Sequence, residues 1–256
     1  MTFVIAEAGV NHSGDIQEAM RLIVAAKRSG ADAVKFQHFN SQRLWGDDRI
    51  THLELLPKHL VMLKEQADSL GIEFMCTAFD CESLEEILPL IKRIKISSGC
   101  IVDKALLSMA RDTSLPVIIS TGMAALDEIE NALDVIERME VTLLQCTSIY
   151  PCPPSQANLA VMRELSWSYC VDVGLSDHTT TISVPIAAAA LGATVIEKHL
   201  TLDRLSRGPD HKASIEPDDF REMVKGIREV EQALGDGIKR VQPGETELRR
   251  IWHVRA

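Results

Sequence analysis

The amino-acid sequence predicts a single-domain α/β protein of the (β/α)8, or TIM-barrel, type. Strand-like and helix-like stretches alternate eight times along 256 residues, and one such barrel takes about 250. Six strand-like runs also pass straight from apolar residues into polar, chemically capable ones. These are VKFQ (Val34 to Gln37), KISSG (Lys95 to Gly99), IISTG (Ile118 to Gly122), LLQCTSIYP (Leu143 to Pro151), GLSDHT (Gly174 to Thr179) and IEKHLT (Ile196 to Thr201). A buried parallel strand is otherwise almost wholly apolar. Polar residues gathered at the same end of strand after strand point to one shared site, built where the strands stop.

The strands are read at Phe3–Ala8, Ala33–Gln37, Glu73–Ala78, Ile94–Ser98, Val117–Thr121, Val141–Thr147, Val171–Ser176 and Thr194–His199. They are short, rich in Val and Ile, and bounded by Gly, Pro or Asp. The helices between them are read at Ile16–Ser29, Pro57–Leu70, Ser83–Leu90, Lys104–Asp112, Ala125–Arg138, Leu159–Ser166 and Ile182–Leu191, with Pro217–Leu234 closing the series. Asp15 is placed to cap the first helix and Gly30 to end it. Ser83 with Glu86 fits a capping box. Pro217 falls at a first helical position behind Glu216, and Leu191-Gly192 stops the seventh helix.

An open doubly wound sheet is the alternative, but its glycine-rich phosphate turn should follow the first strand. That segment reads AEAGVNHSGD, which does not match. The domain reading is one unit over residues 1–256, with the barrel at about 3–234 and a polar tail at 235–256. Two loops are long, Asn40–Leu56 and Thr201–Glu216, and both belong to the face where the polar clusters gather. Long loops in compact domains are often functional.

A hydrophobic fraction of 46% and a charged fraction of 25% are ordinary globular values. The formal net charge of −10, without a basic tract, argues against nucleic acid or an anionic membrane as partner. No apolar run reaches the roughly 18 residues of a membrane span, and no signal pattern opens the chain. The expected location is therefore cytoplasmic. The six cysteines (Cys76, Cys81, Cys100, Cys146, Cys152 and Cys170) form no CxxC pair and read as reduced thiols.

His178 and His199 end the last two strands, which are barrel neighbours. Two neutral imidazoles side by side are a usual start for a divalent-metal site. Asp177 and Glu197 are placed to serve in its inner or outer shell. Two unrelated hydrogen-bonded histidines are the plainer alternative. Glu7 and His12 flank the end of strand one. Glu7 alternates with apolar neighbours and so points into the barrel mouth, where a carboxylate needs a partner or a proton. General acid/base work is one reading and an ion pair with a barrel lysine the other.

Lys35 and Lys95 end strands two and four, among the hydroxyls of Thr77, Ser97, Ser98, Ser120, Thr121 and Ser176. Ammonium, hydroxyl and glycine backbone together make a phosphate or carboxylate cradle. A Schiff-base lysine is the chemical alternative. Lys198 should point away from Glu197 and His199. The loop GPDHKAS brings Asp210 and His211 over the mouth, with Arg207 before them.

With these residues in view, the chain resembles the sialic acid synthase (N-acetylneuraminate synthase) family. The matching segments are AEAGVNHSGD, GADAVKFQ, CTAFD, KISSG, IISTGMA, LLQCTSIYP, GLSDHT, GATVIEKHLTLD and GPDHKASIEPDDF. They occur in order from about Phe3 to Leu234. The resemblance implies condensation of phosphoenolpyruvate with an N-acetylated amino-sugar aldose, giving a 2-keto-3-deoxy sugar acid and phosphate. It implies a divalent metal, usually Mn2+, with Mg2+ or Co2+ as alternatives, on His178 and His199. Phosphoenolpyruvate would be held by Lys35, Thr77, Lys95, Ser98, Ser120, Tyr150 and Ser176. Gln37 and Asp210 would face the sugar, and Glu7 would lie beside the metal and the reacting carbons.

The sequence departs from the family pattern in three places. Cys100 stands where a sugar-contacting Glu usually follows Ser-Gly. Ser148 stands where an Asn is often found. The antifreeze-like domain that usually follows the barrel is not in this sequence, so a dimer would rest on barrel contacts or a separate protein would supply that domain. The phosphoenolpyruvate and metal halves are therefore expected intact and the sugar half altered. Two rival readings remain: a Schiff-base aldolase, and a non-catalytic sugar-acid-binding or scaffold relative of the synthases.

Overall fold

A computed structural model describes residues 1–137 and 140–252. Arg138, the end of one expected helix, and residues 253–256 of the tail lie outside the described residues. The elements run β1 (Phe3–Gly9), α1 (Ile16–Arg28), β2 (Ala33–His38), α2 (Ser41–Trp45), α3 (Pro57–Leu70), β3 (Glu73–Ala78), α4 (Cys81–Ile87), β4 (Ile94–Ile96) and α5 (Lys104–Asp112). They continue with β5 (Val117–Ser120), α6 (Leu126–Ile136), β6 (Val141–Cys146), α7 (Val161–Tyr169), β7 (Asp172–Asp177), α8 (Ser183–Ala190), β8 (Val195–His199), α9 (Pro217–Leu234) and α10 (Thr246–Trp252).

The eight strands are parallel and close in chain order, β8 pairing with β1. Their outward side chains, such as Val4, Val34, Phe36, Phe74, Ile119 and Ile196, form the main core with the surrounding helices. Inside the barrel, Ile5, Ala33, Met75, Ile118, Leu144 and Val195 form a separate apolar plug. Successive strand residues face opposite sides, so i and i+2 share a face. Two positions beyond the six plug residues stand Glu7, Lys35, Thr77, Ser120, Cys146 and Glu197. A dry floor is thus followed by a polar tier, and only the C-terminal face is open for chemistry. Gly174 of β7 belongs to the inner face as well. A Cβ there would collide with the Val195 carbonyl oxygen, so the strand needs glycine at this point.

Some local expectations shift. Strand four stops at Ile96 rather than Ser98, because the next residues turn into a 3-10 helix at Ser98–Cys100, closed by Cys100 N–H donating to Ser97 O at 3.0 Å. The Ser83/Glu86 capping box does not form. Asp80 is the cap of α4 and accepts from Ser83 N–H at 2.7 Å, while Glu86 pairs with His38 Nε2 at 2.7 Å. The carboxylate of Asp80 simply reaches the helix one turn before Ser83 could. Helix α7 runs to Tyr169, past the expected stop at Ser166, because the Tyr169 ring is buried and its hydroxyl donates to Leu126 O at 2.9 Å. Asp15 caps α1 as expected, accepting from Gln17 N–H at 2.8 Å.

All six cysteines are unpaired thiols. Among the described residues no helix is long and apolar enough to cross a membrane. The described part of the tail, 235–252, is exposed throughout and adds nothing to the barrel core.

Candidate active site

A cavity of about 510 Å³ opens at the C-terminal end of the strands. Thirteen of the candidate residues line it: Glu7, Lys35, Gln37, Thr77, Lys95, Ser98, Ser120, Ser148, Tyr150, Ser176, His178, His199 and Asp210.

Its base is a linked set of charges. Strand pairing sets Glu7 opposite Lys35 and also opposite His199. The Lys35 ammonium lies 2.9 Å from Glu7 Oε2 and 3.3 Å from Glu197 Oε2, and donates to Thr77 Oγ1 at 2.9 Å. The Lys95 ammonium donates to Ser120 Oγ at 2.7 Å and Ile96 O at 2.9 Å, and lies 3.9 Å from Glu197 Oε1. Ser176 Oγ donates to Glu197 Oε1 at 2.8 Å. Glu197 therefore stands between the two lysines. Its partners in the structure are the two ammonium groups and the Ser176 hydroxyl, with the His199 imidazole also within electrostatic reach.

The two carboxyls are driven apart. Burial alone raises both. Lys35 and Lys95 outweigh burial at Glu197 and hold it down at about 2. At Glu7 burial wins against Lys35, helped by the neighbouring Glu197 charge, and lifts the carboxyl to about 7. Lys35, although buried, is raised above the usual lysine range by Glu197 and Glu7. Lys95 is lowered, first by burial and then by Lys35, against the pull of Glu197. A carboxyl near neutrality beside an ionised one is the usual signature of an acid/base pair with divided roles.

Above Lys95 the lining becomes neutral and polar. Ser98 Oγ accepts from the Gly122 N–H at 3.0 Å. A Cβ at Gly122 would collide with Ser148 Oγ and come within 2.8 Å of Ser98 Oγ, so glycine keeps this nook open. Ser97 Oγ is buried and without a hydrogen-bond partner there. Hydroxyls, a backbone N–H and a nearby ammonium suit the oxygens of a phosphate or carboxylate.

The imidazoles lie next to this nook, across the Cys146 thiol, which is 3.5 Å from Ser98 Oγ and 3.9 Å from His178 Nδ1; their ring centroids are 5.3 Å apart. Tyr150 stacks near both, 4.1 Å from His178 and 5.7 Å from His199. His178 Nδ1 donates to Thr147 O at 2.9 Å, which assigns the proton to Nδ1 and leaves the Nε2 lone pair free. His199 Nδ1 is buried with no hydrogen bond, its nearest anion being Asp210 Oδ2 at 3.9 Å. Burial, then the neighbouring His178, pushes His199 well below the ordinary imidazole range, so it is neutral. Burial also raises the Asp210 carboxyl. His199, neutral, buried and unsatisfied, and His178, whose imidazole Cys146 and Thr147 O raise against burial and which offers its nitrogen once deprotonated, fit a divalent cation. Among the described residues no third His, Cys, Asp or Glu completes a ready-made cluster with them, so further ligands would be water or substrate oxygens.

Other candidates fall elsewhere. Asp177 alternates with Ser176 and His178, points outward, and pairs with buried Lys198 at 2.6 Å. It is not part of the site, and Lys198 points away from the cavity as its strand position requires. His12 is fully buried, its Nδ1 accepting from Gly14 N–H at 3.0 Å and its ring 6.2 Å from Phe36; it does not line the cavity. Thr121 is also outside the lining, donating to Leu144 O at 2.9 Å. His211 contacts Thr201 Oγ1 at 2.7 Å and braces the loop that carries Asp210. Cys100 is buried with its thiol turned to Phe79 O, 3.9 Å away, so the departure from the family pattern is a lost contact rather than a thiol facing substrate.

Two groups were missed from sequence. Cys146 lines the cavity 3.9 Å from His178 Nδ1; its position two residues beyond Leu144 was the available signal. The apolar wall of Val10, Phe39, Leu44, Trp45, Ile50 and Phe79 comes from loops and from the short helix α2, where no strand period reports side-chain direction.

Comparison with known proteins places this geometry in context. Residues 22–239 match the model of the NeuB family. The N,N'-diacetyllegionaminic acid synthase of Legionella pneumophila is 41% identical, over 97% of this chain and 78% of that protein. The N-acetylneuraminate-9-phosphate synthase of Mus musculus is 35% identical, over 95% of this chain and 74% of that protein. The crystal structure of N-acetylneuraminic acid synthetase from Leptospira borgpetersenii in complex with citrate superposes with a TM-score of 0.92 at 35% identity, covering 99% of this chain and 92% of that one.

Proposed function

The chain belongs to the NeuB family, and we propose that it condenses phosphoenolpyruvate with an N-acetylated amino-sugar aldose, giving a sialic-acid-type 2-keto-3-deoxy sugar acid and inorganic phosphate. The observation that carries this reading is the convergence, in one cavity, of Lys35, Lys95 and the Ser98–Gly122 nook beside the facing pair His178 and His199. The first group suits a small multiply charged anion. The second suits a cation that polarises a carbonyl. An aldol-type condensation with an enol phosphate needs both.

Lys95, Ser98, Ser120 and the Gly122 N–H would hold the phosphate and carboxylate of phosphoenolpyruvate, with Lys35 at its enol end. Gln37 and Asp210 would orient the sugar hydroxyls. A divalent cation on His178 and His199, Mn2+ by preference with Mg2+ or Co2+ as alternatives, would supply Lewis-acid polarisation of the acceptor aldehyde. The π pair of C2=C3 then forms the new bond from carbon 3 to the aldehyde carbon, and positive charge develops at carbon 2. The Glu7 carboxylate stabilises that charge and takes the proton of the water that adds to carbon 2. The proton taken up by Glu7 passes to the former aldehyde oxygen, which becomes a hydroxyl; the tetrahedral centre then expels phosphate by C–O cleavage, its own hydroxyl proton leaving with the phosphate as the ketone forms. Glu197, ionised at all working pH, keeps Lys35 and Lys95 in place and charged.

The test is incubation with phosphoenolpyruvate, Mn2+ and a panel of N-acetylated aldoses, reading phosphate release and product mass. Turnover with at least one aldose, with a product heavier by a pyruvate unit, is expected. No phosphate release with any aldose would sink the synthase and leave the non-catalytic reading.

One observation favours a second chemistry. Lys95 is buried and its ammonium is destabilised, as a Schiff-base lysine requires. Against this, its nitrogen already donates to Ser120 Oγ and Ile96 O and lies near Glu197, contacts that favour the charged form.

A further inference from the structure

We propose that Asp177 and Lys198 are positioning residues for the imidazole pair: their buried ion pair ties β7 to β8 at the last step before His178 and His199 and so sets the separation of the two rings. The inference rests on the metal reading of those rings and extends it to two residues that do not line the cavity. The ladder between β7 and β8 pairs Leu175 with Ile196, Ser176 with Glu197 and Asp177 with Lys198, and ends there. His178 lies one residue beyond the end of β7, and His199 is the last residue of β8. At the histidines themselves the spacing is inherited from the step below.

That step is bound more tightly than a ladder alone requires. Side chains alternate across a sheet, so Asp177 and Lys198 continue the outward rows of Leu175 and Ile196, both of the main core. Their side chains are 1% and 0% exposed. The Lys198 ammonium donates to Asp177 Oδ2 at 2.6 Å, to Thr181 O at 3.3 Å and to Thr179 O. Asp177 in turn accepts from Thr179 N–H at 2.9 Å and from the Thr179 hydroxyl at 3.0 Å. The residues on both sides of His178 thus converge on one cation, carried by the residue before His199. Stability does not call for this arrangement, because an apolar pair of similar volume in a core is often as stable or more so. A charged, directional tether costs desolvation but fixes position, and a metal site needs its ligands held to within about 0.5 Å.

The test reads Mn2+ affinity by electron paramagnetic resonance, phosphoenolpyruvate affinity by calorimetric titration, and melting temperature, for the native protein and its variants. Asp177→Asn combined with Lys198→Met removes both charges together, strands no ion and keeps an acceptor for Thr179 N–H. This protein should melt near the native temperature and bind Mn2+ about tenfold more weakly. It should bind phosphoenolpyruvate with native affinity, since Lys35 and Lys95 belong to β2 and β4. Leu106→Ala, at a fully buried position of α5, removes core packing between β4 and β5 instead. It should lower the melting temperature and leave Mn2+ affinity native. Where the double variant does not fold, Asp177→Asn alone decides. Its ammonium keeps Thr179 O and Thr181 O, and Mn2+ binding should weaken by less than in the double variant. Native Mn2+ affinity in a folded variant of the pair overturns the positioning role and leaves the metal site standing. Equal losses for Mn2+ and phosphoenolpyruvate, or as large a Mn2+ loss in Leu106→Ala, also overturn it, because the effect then belongs to the barrel as a whole. Absence of Mn2+ binding by the native protein refutes the imidazole site and the positioning role together.

Discussion

Glu7 and Lys35 occupy paired positions on adjacent strands, and the Lys35 ammonium touches Glu7 Oε2 at 2.9 Å, both side chains being almost fully buried at the base of the cavity. The same ammonium touches Glu197 at 3.3 Å, and one cation shared by two carboxylates cannot fully stabilise both. Glu197 takes the larger share, because Lys95 and Ser176 add to it. Glu7 is left titrating at about 7.

The first prediction follows from that value. Glu7 works as a carboxylate, and its proton is lost as pH rises through about 7. The rate kcat/KM should therefore climb with pH and level off above neutrality. Glu7→Gln keeps the shape and the bond to Gln37 but cannot take a proton. It should lower kcat by about 10² to 10⁴ and flatten this limb. A Gln variant of full activity would remove Glu7 from the mechanism.

The second concerns the imidazole pair. Electron paramagnetic resonance of Mn2+ titrated into the protein should report a bound ion, and His178→Ala should weaken its binding by about a hundredfold or more. Treatment with EDTA should stop phosphate release and added Mn2+ restore it. Because Cys146 and Thr147 O raise the His178 imidazole in spite of its burial, proton and metal compete there, and Mn2+ affinity should fall as the solution is acidified. Unchanged Mn2+ binding in the alanine variant would dismiss this site.

Much of this arrangement is legible in the sequence because strand period is strict. Each plug residue, from Ile5 to Val195, is followed two positions later by a residue of the polar tier, so the candidates on β1, β2, β3, β5 and β8 could be assigned to the inner face directly. The same alternation excludes Asp177 and Lys198, which form an outward pair. Where regular structure ends, the signal ends too. The direction of Cys100 is set by a 3-10 turn, and the wall of Leu44, Trp45 and Ile50 by a five-residue helix and the loop after it, both too short and irregular to show a period. His12 looked like a mouth residue by position, but its ring is buried near Phe36, on the outward side of the strands.

The third prediction separates the lysine chemistries. Lys95→Met removes the ammonium that donates to Ser120 and neighbours Glu197. Loss of one charged hydrogen bond to substrate should raise KM for phosphoenolpyruvate roughly 10- to 100-fold. Borohydride added with pyruvate should leave the mass of the native protein unchanged. A stable adduct at Lys95, with activity insensitive to EDTA, would establish the Schiff-base aldolase.

The fourth prediction concerns stability and tests His12 as a structural group. Burial lowers its imidazole from 6.5 to about 4; Asp15 opposes the shift and His59 adds to it. The folded state thus binds the proton less readily than the unfolded chain does. Stability is fully present above pH 6.5, falls as pH drops from 6.5 to about 4, and is constant in this respect below that. The linked loss is roughly 3 kcal/mol. Glu7 acts in the opposite sense over part of this window. Its raised pKa means that acid relieves a buried charge as pH falls through about 7, so the wild-type curve alone mixes the two. Comparison with His12→Gln isolates one of them, since the amide oxygen can still accept from Gly14 N–H. In urea denaturation at pH 7 and pH 4, the native protein should lose about 3 kcal/mol more than the variant over that interval. An equal loss in both proteins would mean that His12 is charged, or hydrated, in the folded barrel.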